Sequence, residues 1–255
     1  MADSKRIDFV IPGAQKSGTT ALELYLSEHP EICVPHRHKE LHFFDRDRNF
    51  QSQPVDYQPY HAFFDPRPGQ RLLGEATPDY LYWPSAPERM ASYNPALKLI
   101  VVLRNPIERA FSHWNMQRHV GREPLPFVDA LRAEAERART LPTQRAMRFA
   151  YVGRGLYVQQ LERLWRHFPR EQTIALKSEE LLAAPSTMLA RIAQFLGIAP
   201  FGAIAPRTVH SYRYDTAMTT EERRHLAAVF ESDIHQLERM LAWNCEDWLA
   251  GRKAQ

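Results

Sequence analysis

The densest chemistry in the sequence lies in Gly13-Ala14-Gln15-Lys16-Ser17-Gly18-Thr19-Thr20. These residues follow the apolar run Ile7–Pro12 (IDFVIP) and open a helical stretch reaching about His29, so they form a strand-to-helix turn. Backbone N–H groups and the dipole at a helix start can hold a phosphate, and Lys16 adds a full charge. Ser17, Gly18, Thr19 and Thr20 supply hydroxyls and a close backbone approach. The order differs from a Walker A loop, because Lys16 precedes Gly18 and the loop is shorter.

A second group is Arg104, at the end of the run Lys98–Leu103 (KLIVVL), with Ser112 about two turns into the next helix. A guanidinium fork and a hydroxyl on one rigid strand–helix unit suit a terminal phosphate. The plain alternatives are a structural ion pair and a packed helix residue. The third group is Lys39-Glu40-Leu41-His42-Phe43-Phe44-Asp45. In an extended segment, Glu40 and His42 share one face and Leu41 and Phe43 the other. That would point a carboxylate and an imidazole into a cleft together; a solvent pair of Glu40 with Lys39 or Arg37 is the alternative.

Several elements must position these residues. KLIVVL has the continuous β-branched character of a strand covered on both faces. Asn105-Pro106 then marks a helix start, with Asn as the cap and Pro at the first position. Leu72–Gly74 and Thr173–Leu176 read as further strands, and helices are expected near 106–119, 125–139, 154–168 and Pro185–Leu196, the last closed by Gly197. Thr219 and Glu222 fit a capping box for a helix to about Leu241. Residues 30–70, rich in Pro, His and aromatics, lack a helical period and are expected to cross the surface and shape a cleft. Strands alternating with helices predict a mainly parallel sheet flanked by helices, with ligands where strand ends feed helix starts.

Composition narrows the class. The 255 residues, 44% hydrophobic and 11% aromatic, suffice for one substantial core, read as a single domain over 1–255. A net charge of +3 does not point to nucleic acid; a small anionic ligand needs only a local cationic site. Cys33 and Cys245 make neither a disulfide framework nor a zinc pattern and fit a reducing compartment. The start MADSKRIDFVIPG lacks a signal-peptide core and no apolar run could span a membrane, so a cytoplasmic protein is expected. His36, His38 and His42 lack a nearby Cys or a helical HxxxH, so no metal is expected.

The strand–loop–helix bearing KSGTT, with LRNP followed by Ser112, closely resembles the two phosphosulfate-binding elements of the PAPS-dependent sulfotransferases, whose donor is 3′-phosphoadenosine 5′-phosphosulfate. The similarity runs through most of the chain, in GxxKSGTTxLxxxLxxHP, KELHFFD, GEATPDYL, LRNPxxRAxSHW, GLYxxQLxRLxxxFP and FLGI. It looks most like the branch shared by bacterial sulfotransferases and the Golgi heparan sulfate enzymes. The resemblance implies a P-loop-like three-layer α/β fold. It assigns Lys16, Ser17, Gly18, Thr19 and Thr20 to the 5′-phosphosulfate and Arg104 and Ser112 to the 3′-phosphate. Residues 200–218 fall where the family closes a basic loop over the donor, which adds Ser211 and Arg213. Residues 31–70 fall on the acceptor side, with Glu40 as general base and His42 assisting or standing in for it. Lys16 would stabilise the leaving phosphate of adenosine 3′,5′-bisphosphate without a metal.

The acceptor remains open among sugar hydroxyls or amines, lipid head groups and secondary-metabolite alcohols. One departure is Ala76, where some heparan sulfate enzymes carry a lysine. A P-loop kinase would need a Lys after the glycine and an acidic magnesium ligand at a strand end, and neither arrangement is found. A non-catalytic nucleotide-binding module is the other alternative.

Overall fold

The computed structural model describes residues 6–35, 38–204, 214 and 216–250. In chain order the elements are β1 (Phe9–Gly13), α1 (Thr19–Ser27), β2 (Ile32–Cys33), α2 (Gln58–His61), β3 (Leu72–Ala76), α3 (Ala86–Tyr93), β4 (Lys98–Leu103), α4 (Pro106–His119), α5 (Phe127–Thr140) and α6 (Thr143–Ala146). They continue with α7 (Tyr157–Trp165), β5 (Thr173–Lys177), α8 (Ser178–Ala183), α9 (Pro185–Leu196), α10 (Thr220–Leu241) and α11 (Glu246–Leu249). The chain divides into two compact units, Met1–Leu103 with Gln160–Val209, and Arg104–Gln159 with His210–Gln255.

The first unit holds a five-stranded sheet in the order β2-β3-β1-β4-β5, with every pair parallel. Parallel strands need crossovers, and a sheet covered by helices needs strands apolar on both sides; β1 and most of β4 are buried throughout. One layer of helices packs Leu22, Tyr25 and Leu26 of α1, Leu181 of α8, and Met188, Leu189, Ile192 and Leu196 of α9 onto Phe9, Ile11, Ile100, Val102 and Leu176. Gly74 makes room for that core, since a Cβ there would come within 2.1 Å of the Phe9 ring. Helix α9 ends on Gly197 in the left-handed region, with its N–H and that of Ile198 returning to Ala193 O.

The segment expected to cross the surface instead buries much of its aromatic content. Phe43, Phe44 and Tyr60 are buried and pack with Tyr57, Tyr80 and Tyr93 in stacked, edge and tilted ring contacts. Large aromatic area removed from water outweighs the absence of regular structure there.

In the second unit, α4 starts as its sequence predicts. The Asn105 side chain accepts the Ile107 N–H at 3.0 Å and Pro106 occupies the first turn. Helix α10 carries the reciprocal capping box of Thr219 and Glu222. The helix expected over 154–168 is a 3₁₀ turn, Gly153–Gly155, followed by α7. Gly155 lies where a Cβ would come within 2.8 Å of the Phe230 ring of α10. Among the described residues, no helix is long and apolar enough to cross a membrane.

Candidate active site

In the first unit, β1 ends at Gly13 and its extension is tied to β4, as Ala14 N–H donates to Val102 O at 2.7 Å. The chain then turns with Lys16 at φ 69° and Gly18 at φ 89°, and α1 begins at Thr19. A left-handed lysine is a strained conformation, tolerated where the surrounding loop over-determines it. Ser17 is fully buried, yet among the described residues its hydroxyl has no hydrogen-bond partner; the amide oxygen of Gln15 also lacks one there. Buried polar atoms without partners are uncommon, and beside unpaired N–H groups at a helix start they form a cradle that suits phosphate oxygens.

The acceptor-side segment also lies in the first unit. It is not an extended strand: Glu40 and His42 both take left-handed conformations, φ 58° and 51°. The expected convergence still occurs, with His42 Nε2 3.5 Å from Glu40 Oε2. Two kinks, not strand alternation, produce it. On the other side of the ring, His42 Nδ1 lies 2.6 Å from Asp45 Oδ2. Asp45 is 6% exposed, and its Oδ1 has no hydrogen-bond partner among the described residues. Burial works against a charged imidazole here, but hydrogen bonds to Asp45 and Glu40 and the charges of Asp45 and Asp79 push its pKa up to about 10. At neutral pH His42 is therefore a cation that donates to two carboxylates. To stand in as a base it would first have to lose that proton.

Asp45 and Asp79 were not singled out in the sequence. Asp45 ends the KELHFFD run three residues after His42, and that spacing was the available signal. His42, Asp45 and Asp79 bring three ligand-type atoms within 4.8 Å of one another. An imidazolium must give up its proton before ligating a metal, so the protonated ring disfavours that use. Ala76, the departure noted above, is 3% exposed and belongs to the sheet core.

A carboxylate that sequence reasoning missed entirely is Glu23 on α1. Burial, then the nearby charge of Glu75, raise its pKa to about 7; Lys39 opposes them and Glu40 adds to them.

In the second unit, Arg104 is half-buried, its carbonyl accepts the Tyr157 hydroxyl at 2.8 Å, and Ser112 is buried on α4. Arg104 directly follows β4, and Ser112 lies about two turns into α4. Arg109 of the same helix is fully buried; it donates to Tyr151 O, while its Nε and Nη1 have no hydrogen-bond partner among the described residues. Burial lowers its pKa to about 10, with the charge of Tyr157 opposing and that of Arg154 adding to the effect. Ser211 and Arg213 lie outside the described residues. Tyr214 packs edge-on against Phe111, the neighbour of Ser112, with ring centroids 5.5 Å apart.

Comparison with known proteins decides the family. Residues 6–218 match the model of the sulfotransferase domain. The chain belongs to the sulfotransferase family. It is 29% identical over 224 residues to the human bifunctional heparan sulfate N-deacetylase/N-sulfotransferase 3, a match covering 85% of this chain and 24% of the relative. It is 31% identical over 197 residues to the human heparan sulfate glucosamine 3-O-sulfotransferase 3B1, covering 74% of this chain and 45% of that one. The chain thus spans less than half the length of these curated relatives. A solved sulfotransferase from Alicyclobacillus acidocaldarius superposes with a TM-score of 0.82 at 32% identity, covering 96% of this chain and all of the other. The parallel five-stranded sheet is accordingly the P-loop-like α/β fold of a sulfotransferase. The kinase alternative falls with the family assignment. Sulfotransferases of this family generally use PAPS as the sulfate donor.

Proposed function

We propose that this sulfotransferase moves the sulfuryl group of 3′-phosphoadenosine 5′-phosphosulfate onto a hydroxyl or amine of a carbohydrate, lipid or secondary-metabolite acceptor. The observation that carries the reading is the Glu40–His42–Asp45 line, a carboxylate beside an imidazolium that is itself fixed by a buried carboxylate. A carboxylate so placed can take a proton from an acceptor as it attacks, which is general-base catalysis.

PAPS supplies an activated sulfur whose bond to the 5′-phosphate oxygen breaks as the bond to the acceptor forms. The residues of this chain do the rest. Lys16 and the N–H groups opening α1 hold the phosphate that leaves with the electron pair, and the unpartnered Ser17 hydroxyl supports that use of the loop. Arg104 and Ser112 hold the 3′-phosphate, with Ser211 and Arg213 closing over the donor. Glu40 accepts the acceptor's proton. His42, already protonated, keeps Glu40 oriented until that moment, with Asp45 fixing the ring. The whole of 1–255 serves as one sulfotransferase domain, with 31–70 on the acceptor side. Both cysteines are buried, as an inert core thiol in a reducing, cytoplasmic setting would be.

The test is incubation with labelled PAPS and a panel of hydroxyl and amine acceptors, reading label transfer by mass spectrometry. On the acceptor so found, Glu40→Gln should lower turnover by about 10²–10⁴-fold with donor affinity nearly unchanged. Near-normal turnover in that variant, with chemistry limiting, would remove Glu40 as base. Absence of transfer to every acceptor would favour a non-catalytic nucleotide-binding module.

A further inference from the structure

Behind the acceptor segment, in the same unit, lies a buried polar network that the reaction does not use directly. Glu75, near the end of β3, is 1% exposed, and three hydroxyls converge on its carboxylate. Tyr60 and Tyr80 donate to Oε1 at 2.7 and 3.0 Å, and Thr77 donates to Oε2 at 2.6 Å. An ionised carboxylate only accepts, so each of these hydroxyl protons must point at Glu75. The lone pairs of two hydroxyls are thereby turned toward the acceptor segment. Tyr80 Oη accepts the Phe43 N–H at 2.9 Å, and Thr77 Oγ1 receives the His42 N–H in a longer contact of 3.5 Å.

Those amides belong to the stretch where Glu40 and His42 sit in left-handed conformations. Non-glycine residues persist there only when neighbouring groups hold them. The contacts span 35 and 37 residues of sequence, so they are tertiary ties and not local turn bonds. A carboxylate is also a costly way to fill a core: burial raises Glu75 to about 6 despite the opposing hydrogen bonds from Thr77, Tyr60 and Tyr80.

We propose that Glu75 is a positioning residue: it fixes the polarity of the Thr77 and Tyr80 hydroxyls, and through them holds the His42–Phe43 backbone so that His42 meets Glu40 and Asp45. This rests on the reading of Glu40 as the base and His42 as its oriented partner. Glu75 itself touches neither donor nor acceptor in this role.

The experiment uses two variants of the full chain, Glu75→Gln and Tyr80→Phe. The first supplies an amide that can donate where only acceptance is wanted; the second keeps the ring and removes the relay hydroxyl. The readout is the titration of the His42 ring followed by NMR, alongside calorimetric affinity for adenosine 3′,5′-bisphosphate and thermal unfolding. Both variants should lower the His42 midpoint by about one pH unit or more, as the ring loses its grip on Asp45 and Glu40, with bisphosphate affinity changed less than about twofold. If Glu75→Gln does not fold, Tyr80→Phe decides. A folded Tyr80→Phe protein with the wild-type His42 midpoint overturns the proposal, even if its melting temperature drops, since that would be stability without positioning. None of these measurements depends on turnover. Loss of the Glu40 assignment would instead appear as undiminished activity of Glu40→Gln.

Discussion

Replacing Asp45 with Asn removes one formal charge beside His42 and keeps the shape of the side chain. In the native site the ring lies 2.6 Å from Asp45 and 3.5 Å from Glu40, and its pKa reaches about 10 against the pull of burial. Two unit charges about 4 Å apart at an effective dielectric of about 20 attract by about 4 kcal/mol, equivalent to roughly 3 pH units. The ring is partly open to water, so screening trims this to about 2 units and the midpoint should fall to about 8. The sign for stability follows from a raised histidine pKa. Protonated His42 stabilises the fold fully below about pH 6.5, and that contribution is lost as the pH rises through about 10. Wild-type stability should therefore decline across that whole window, and Asp45→Asn should show a smaller decline, finished near about pH 8. NMR titration of the ring signals, with His42 assigned by its disappearance in His42→Gln, reads the midpoint directly. Urea unfolding at a series of pH values reads the stability. A wild-type midpoint near 6.5, or one that Asp45→Asn leaves in place, refutes the reasoning.

Two further outcomes are expected. Calorimetry should show adenosine 3′,5′-bisphosphate binding far better than AMP, and Arg104→Ala should weaken the bisphosphate by about 1.5–3 kcal/mol in a protein that still folds. Equal affinity for the two nucleotides, or an unchanged bisphosphate affinity in Arg104→Ala, would place the 3′-phosphate elsewhere. Glu23, raised to about 7 chiefly by burial, burdens the fold when ionised. Glu23→Gln should stabilise the protein by about 1–3 kcal/mol above pH 7 and lose that advantage as the pH falls toward 4.5; urea melts at both ends that show no difference would contradict it.

Much of the fold was legible because its signals are contiguous. KLIVVL reads as a covered strand in any parallel sheet, and Asn105-Pro106, Pro185 with Gly197, and Thr219 with Glu222 all occur as the helix ends that their chemistry favours. Short or weakly periodic elements escaped: β2 has two residues, and α2, α6 and α11 have four each. Such pieces are fixed by what they pack against, because one turn of helix cannot offset its own nucleation.

The candidate site divides along the same line. Gly13–Thr20 and Arg104 with Ser112 are each contiguous in sequence, so their proposal as phosphate-binding groups needs only residue type and spacing. The acceptor side was different. Sequence alternation put Glu40 and His42 on one face of a strand, whereas the backbone brings them together through two left-handed residues. What makes that conformation tenable is hydroxyls on Thr77 and Tyr80 and a carboxylate on Glu75, more than thirty residues away. The charge of His42 has the same origin, since a free imidazole is mostly neutral at pH 7 and only the fold crowds carboxylates around it. The sequence by itself determined the family, the sheet and which residue types are available for chemistry. Tertiary structure alone decided their protonation and backbone geometry, because both depend on burial and on partners brought together only when the chain folds.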